Sequence, residues 1–299
     1  WAALQDRFDY VWAAEGPALA VFSRLLAAQR QVSLAELIER MDWLLSAASK
    51  QAELELQALR MSKAANKRCV VFVDHWSNYA TRLVLSDSKS LPHTIWVSDA
   101  HAERLATEAF PNTTIQRRNN PYLDAMVALI GEHSRKMPRR TECNLLYVAE
   151  PIANAPFDEH DALRFFLKHV PELVPAEMPF KVVIRPHPRE TVEKYIWSER
   201  YDMEVSICND KNLYLQISEA DIVVGVSTMA MVIAHLSGKR TVSSRPVAAG
   251  SYSLPFPEIE FLVDLVAKSS RKSEASFSSL ATHDGDRDKE NDKWPNLGY

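Results

Sequence analysis

The sequence predicts an α/β protein built from two parallel-sheet domains, and three observations carry that prediction. Short β-rich runs alternate with longer helix-forming runs along most of the chain, so a strand is followed by a helix rather than by a hairpin turn. FKVVI (180–184) is an apolar run fit for a buried strand. The stretch GEHSRKMPRRTE (131–142) is polar, basic and proline-containing, and reads as an interdomain linker between two such alternations. A chain of 299 residues is long enough for two domains of ordinary size, each with a core of its own.

The elements follow in order. FDYVWAAEG (8–16) reads as a strand closing on a Glu-Gly turn, and PALAVFSRLLAAQ continues as a helix with Pro17 suited to its first turn. Residues 33–65 are rich in Ala, Leu, Glu, Gln, Lys and Met, with no proline or glycine, so one or two long helices are expected there; Ser33 and Glu36 stand at capping-box spacing. CVVFVDHWSNY (69–79) is a strand ending on polar and aromatic groups, TIWVSDAHAERLATEAF (94–110) a strand leading into a helix, and TTIQRRNNPYLD (113–124) a short strand followed by a turn ahead of a helix. Beyond the linker come a strand at 143–151, an amphipathic helix at 157–170, strands at 180–188 and 204–209, a helix at 212–220, a strand and turn at 220–228, a helix at 229–238 ended by Gly238, and a strand at 239–246. The expected domains are therefore 1–135 and 136–267. From Lys268 to Tyr299 the chain is Ser- and charge-rich and reads as a disordered tail.

Composition removes several functional classes. The chain is 46% apolar and 25% charged with a net charge of -4, so there is no basic stripe for nucleic acid. No run of 18 apolar residues suits a membrane span, and no basic-then-apolar signal opens the chain, which begins at Trp1. Cys69, Cys143 and Cys208 are widely spaced with no CxxC, which points to free thiols, a reducing compartment and no metal site. The expected location is the cytoplasm, including the inner face of the membrane, with peripheral association left open.

In open parallel sheets ligands bind beyond the carboxyl ends of the strands. Both halves of this chain are polar at those ends: Glu15, Asp74, His75, Asp99, His101 and Arg117 to Asn120 in the first, and Glu150, Arg185, His187, Gly225, Ser227 and Thr228 in the second. In GVSTMAMVIAHLSG, Gly225 permits a tight turn, and Ser227 and Thr228 precede an apolar helix whose N-terminus is a ready phosphate site; plain N-capping explains the same residues. RPHP adds an arginine and a histidine held between prolines at a strand end, where both can donate to a phosphate. Neither a Walker lysine nor GxGxxG occurs.

RPHP followed some forty residues later by ADIVVGVSTMAMVIAHLSGK resembles the donor half of GT-B glycosyltransferases of the bacterial surface-polysaccharide type, including sialyltransferase-like, polysialyltransferase-like and CDP-glycerol polymerase enzymes. The match covers residues 143–250. The resemblance implies two Rossmann-like domains facing a cleft, with His187 and the hydroxyls of Ser227 and Thr228 on the nucleotide phosphate; Arg185, Gly225 and Glu150 join the expected phosphate-binding set from their own places at the strand ends. It implies a nucleotide-activated sugar, CMP- or CDP-linked, as donor and a glycan or lipid-linked acceptor. The second motif here reads Ser-Thr rather than Ser-Ser, and no acidic motif of the kind some of these families use as base accompanies it.

Glycosyl transfer builds negative charge on the departing phosphate, so fixed donors suffice there, with no metal or other cofactor. The acceptor hydroxyl needs a base from the first domain. Asp74 and His75 are the first candidates and Asp99 and His101 the next, although each Asp is equally suited to capping the turn or helix after it. Trp76, Tyr79 and Trp96 can stack on a sugar or simply fill the core. Two other readings share these residues: a nucleotide-sugar 2-epimerase of the same architecture, and a non-catalytic nucleotide-sugar-binding protein.

Overall fold

A computed structural model of the chain describes residues 7–26, 30–48, 53–76, 79, 83, 91–138, 140–153, 155–246, 254 and 256–271. These divide into two compact units. The first holds the described residues up to Leu129 together with Leu254 and Phe256; the second holds those from Ile130 through 246 and from Pro257 to 271.

In the first unit the order is α1 (Gly16–Leu25), α2 (Leu34–Arg40), β1 (Trp43–Ala47), α3 (Glu53–Ala64), β2 (Arg68–Val73), β3 (Thr94–Val97), α4 (Ala100–Ala109), β4 (Thr114–Arg117) and the start of α5 (Pro121–Lys136). The four strands pair in chain order and all run parallel. Leu44, Cys69, Val71, Val73, Ile95 and Val97 are buried on one face, which α3 and α4 cover. Two of the helix starts are chemically marked: Ser33 accepts from the Glu36 amide at 3.2 Å, and Asp99 accepts from the Ala102 amide at 2.8 Å.

The second unit contains β5 (Cys143–Val148), α6 (Glu159–Lys168), a 3-10 turn (Val170–Glu172), β6 (Phe180–Arg185), a 3-10 segment (Val192–Arg200), β7 (Val205–Ile207), α7 (Leu213–Glu219), β8 (Ile222–Gly225), α8 (Met229–Leu236), β9 (Arg240–Ser243), β10 (Glu260–Phe261) and α9 (262–271). Its six parallel strands lie in the order β7-β6-β5-β8-β9-β10. The chain adds strands outward from β5 as far as β7, then returns to the other side of β5 and continues outward, which is the Rossmann order with its switch point between β5 and β8. All six residues of β5 and all four of β8 are buried, as strands at the centre of such a sheet must be. Leu163, Phe166 and Leu167 of α6 fill the space against Leu145, Tyr147, Val182, Ile184 and Val224, with Phe166 stacked on Tyr147 at 5.2 Å. Full burial of one such side chain contributes about 1.5–3 kcal/mol. Asp158 and Asp161 close a reciprocal capping box at the helix start.

Four expectations from the sequence are corrected. Residues 8–15 do not form a strand of the sheet. They hold one parallel bridge, Trp12 to Gln31, and Trp12 and Ala14 turn instead to Phe22 and Leu26 in a small cluster of their own. Residues 33–65 are helix, strand, helix, because Met41 is extended and WLLSA pairs with β2 over five positions, with Leu44 and Ser46 facing inward. Sheet pairing there overrides helix propensity. The expected linker at 131–142 begins as helix: α5 runs to Lys136, Glu132 pairs with Lys136 one turn on at 2.6 Å, and only Pro138 stops it. The expected tail starts too early, since residues 268–271 end α9, whose Leu262, Leu265 and Val266 pack on the second core. Residues 272–299 lie outside the described residues. The cysteines are free, Cys69 and Cys143 buried with thiols pushed up by burial and Cys208 half-buried. Among the described residues no helix is long and apolar enough to cross a membrane.

Candidate functional site

The second unit gathers its marked residues at the switch point. Val148 of β5 pairs with Arg185 of β6, and continuing that register by two residues sets Glu150 level with His187. Tyr147 pairs with Val224 of β8, and continuing by three residues sets Glu150 level with Ser227. On the β8 side the two residues meet directly, the Ser227 amide donating to the Glu150 carboxylate. His187, Glu150 and Ser227 thus follow the ends of three neighbouring strands, β6, β5 and β8, a row of strand ends with β5 in the middle. At a strand spacing of about 4.8 Å the outer two chains leave the sheet about 10 Å apart.

Glu150 is half-buried. Burial pushes its carboxyl above the usual carboxylate range, opposed by hydrogen bonds from the Ser227 amide, the Ser227 hydroxyl and the Val226 amide. The close approach behind it depends on Gly225: a Cβ there would lie 2.9 Å from both Cγ2 and the carbonyl oxygen of Val148 and 3.0 Å from Sδ of Met231. Thr228 is the N-cap of α8, its hydroxyl accepting from the Ala230 amide at 3.0 Å. The Ser-Thr pair thus divides its labour, Ser227 to Glu150 and Thr228 to the helix.

His187 is half-buried in a loop pinned at several points. The Glu190 amide donates to the His187 carbonyl at 2.8 Å, and the Arg189 amide donates to His187 Nδ1 at 3.2 Å. An amide N–H can only donate, so Nδ1 is the acceptor and the neutral ring carries its proton on Nε2. Burial lowers the pKa of this ring, Glu190 opposing and Arg189 adding to the fall. At neutral pH the ring is an uncharged Nε2–H donor. Glu190, which sequence reasoning passed over, anchors the loop: its carboxylate accepts from Tyr195 at 2.7 Å and from Lys194 at 2.5 Å, and Lys194 also holds Glu159. Its only sequence signal was the final acid of RPHPRE.

Arg185, expected on the phosphate, is committed elsewhere. Its Nη1 donates to the Lys211 carbonyl at 2.7 Å and to Gln216, bracing the loop that leads into α7.

In the first unit the candidates sit at the ends of β2 and β3, and the pairing of Val73 with Val97, continued, sets Asp74 level with Ser98 and His75 level with Asp99. Asp99 caps α4. One oxygen accepts from Ala102, and the other accepts from the Trp76 indole at 2.7 Å and the Ser98 hydroxyl at 2.8 Å. His101 lies in the first turn of α4 with Nδ1 3.2 Å from Arg104, its pKa lowered by burial and then by that arginine. Asp74 is exposed, and the His75 ring lies 5.9 Å from that of Trp76. Trp76 and Tyr79 are buried, so they belong to the core, whereas Trp96 is half-buried beneath the Arg118 guanidinium at 5.3 Å. Asn120 accepts from the Tyr122 and Leu123 amides at the start of α5. Among the described residues no three His, Cys, Asp or Glu side chains cluster as metal ligands.

No protein-family profile and no curated protein sequence matches the chain. Among solved structures it is similar to one from Listeria monocytogenes attributed to a UDP-N-acetylglucosamine 2-epimerase, at 12% identity and TM-score 0.54, over 82% of this chain and 73% of that one. Two more are a UDP-forming α,α-trehalose-phosphate synthase from Burkholderia xenovorans, at 8% identity, TM-score 0.48 and 84% and 74% coverage, and KpsC, a β-Kdo 2,7 transferase from Thermosulfurimonas dismutans, at 16% identity, TM-score 0.33 and 87% and 89% coverage. The first likeness shows the fold, α/β with two parallel-sheet units of the Rossmann-like kind expected for GT-B proteins.

Proposed function

We propose that the chain is a glycosyltransferase that moves a sugar from a nucleotide-activated donor, CMP- or CDP-linked, to a surface-glycan or lipid-linked acceptor, with no metal or other cofactor. The observation that carries this reading is the row at the switch point, where a ring held as an Nε2–H donor and the turn before α8 flank one strand end. A leaving phosphate seated there meets hydrogen-bond donors that stabilise its developing charge. His187 acts as donor, not base, since its proton sits on the outward nitrogen. Asp74 is the residue of the first unit proposed to take the acceptor's proton, because the Asp99 carboxylate is already occupied by three donors.

A second reading, a nucleotide-sugar 2-epimerase, is favoured by the fold shared with the Listeria monocytogenes protein. One experiment addresses both. Thermal unfolding is followed with CMP, CDP, UDP and GDP, because a ligand bound only by the folded state raises Tm. CMP or CDP should raise Tm for the wild type and not for His187→Ala. A response to UDP alone, with inversion at C2 of UDP-N-acetylglucosamine seen by NMR, establishes the epimerase reading instead. No response to any of the four nucleotides overturns both.

A further inference from the structure

The phosphate reading leaves one group unexplained. Glu150 is an acid, yet it follows the strand between those that lead to His187 and Ser227, and its carboxylate already takes the Ser227 amide, with the Ser227 hydroxyl and the Val226 amide also favouring its charged form. Those are the donors a phosphate oxygen would need. Two anions cannot share them, since like charges within hydrogen-bonding distance destabilise each other strongly in a partly buried place.

We propose that Glu150 is a proton-operated gate on the phosphate seat: its carboxylate occupies the donors of the turn before α8 when no ligand is bound, and a phosphate enters only as Glu150 takes up a proton and becomes a donor itself. This rests on the phosphate-binding reading above. The balance is simple: one proton from solvent joins one carboxylate oxygen, no covalent bond to the ligand forms, and the neutral acid then gives an O–H bond to a phosphate oxygen.

The surroundings favour the neutral form. Tyr147, on the same strand, turns its hydroxyl to Ser244 at 3.5 Å. On the β6 side stands His187, neutral at ordinary pH. On the β9 side Arg245 lies over the Phe157 ring at 5.8 Å. Below, Glu159 accepts from the Ile152 amide at 3.3 Å and is paired with Lys194. No cation of these is placed on the Glu150 carboxylate as an ion-pair partner among the described residues, and burial raises its pKa.

The test is calorimetric titration of CMP into wild type and Glu150→Gln in two buffers of different ionisation enthalpy at pH 7.5, with cytidine as a probe lacking phosphate. Gln keeps the shape and the donor of the neutral acid. Wild type should take up close to one proton per CMP bound. Glu150→Gln should lose that uptake and bind CMP more tightly, because its side chain no longer has to be protonated before the ligand enters. Cytidine should show neither effect. Any uptake from His187 persists in the variant, so the difference belongs to Glu150. If CMP binds both proteins with equal affinity and equal uptake, or the variant binds more weakly while its Tm matches wild type, the gate is overturned and the phosphate seat survives. If neither protein binds CMP between pH 5.5 and 8, the seat fails and the gate with it.

Discussion

Replacing Gly225 by alanine should destabilise the second unit through a single methyl group. The new Cβ would meet Cγ2 and the carbonyl oxygen of Val148 at 2.9 Å and Sδ of Met231 at 3.0 Å. Ordinary contacts between such atoms lie near 3.5 Å, so about 0.5 Å must be found. Met231 can yield a little, but the Val148 carbonyl belongs to the backbone of a fully buried central strand and cannot. Overpacking of this kind costs about 1–3 kcal/mol. The loss of glycine's freedom in the unfolded chain offsets about 0.4–1 kcal/mol of that, leaving a net loss centred on about 1.3 kcal/mol. In a domain of this size that lowers Tm by about 3–5 °C. Gly131 is the internal control: it lies inside α5, with nothing within 4 Å of a new Cβ, so Gly131→Ala should gain about 0.5–1 kcal/mol. Urea and thermal denaturation of both variants measure the pair. A Gly225→Ala protein as stable as wild type, or one stabilised like Gly131→Ala, would refute the close approach of β5, β8 and α8 on which the site geometry depends.

Other tests read individual side chains. Thr228→Ala should lose about 1 kcal/mol in urea denaturation through its cap on Ala230, and Thr228→Ser should restore most of it. Asp99→Ala should cost about 2–4 kcal/mol, since it removes a cap and leaves the buried Trp76 N–H without its acceptor; Asp99→Asn should keep transfer activity in a donor-turnover assay, while Asp74→Asn should abolish it with Tm unchanged. Because the folded pKa of Glu150 is raised, its contribution to stability is fully present below the unfolded carboxyl value and fades as pH rises through the folded one. Denaturation of Glu150→Gln should therefore show it more stable than wild type at pH 8, with the gap closing toward pH 5; a gap that widens on acidification contradicts the sign.

Much of the layout is legible in the residues because its causes are local. Mainly apolar runs such as CNLLYV and IVVG specify strands buried on both faces, and Asp158 with Asp161 or Thr228 marks a helix start through bonds made within a few residues. RPHP and GVST stood out for the same reason, as polar groups at the ends of such strands. What sequence reading missed depends on partners distant in the chain. WLLSA becomes β1 only because β2 lies beside it, a pairing worth more than the helix preference of Leu, Ala and Met. The polar run at 131–136 is the last part of a helix whose other residues lie upstream, with His133 against Tyr214 and the Ser134 hydroxyl on the Ser218 carbonyl. The residues at the switch point were visible one by one, but their roles were not. Composition shows an arginine, a glutamate and a histidine near strand ends; it cannot show that Arg185 turns to Lys211 and Gln216, that Glu150 fills the turn before α8, or that an amide at Arg189 decides which nitrogen of His187 bears the proton. Those outcomes follow from strand order and register, which bring residues 37 or 77 positions apart to one level, and a hydrogen bond forms with whatever group the fold brings within reach.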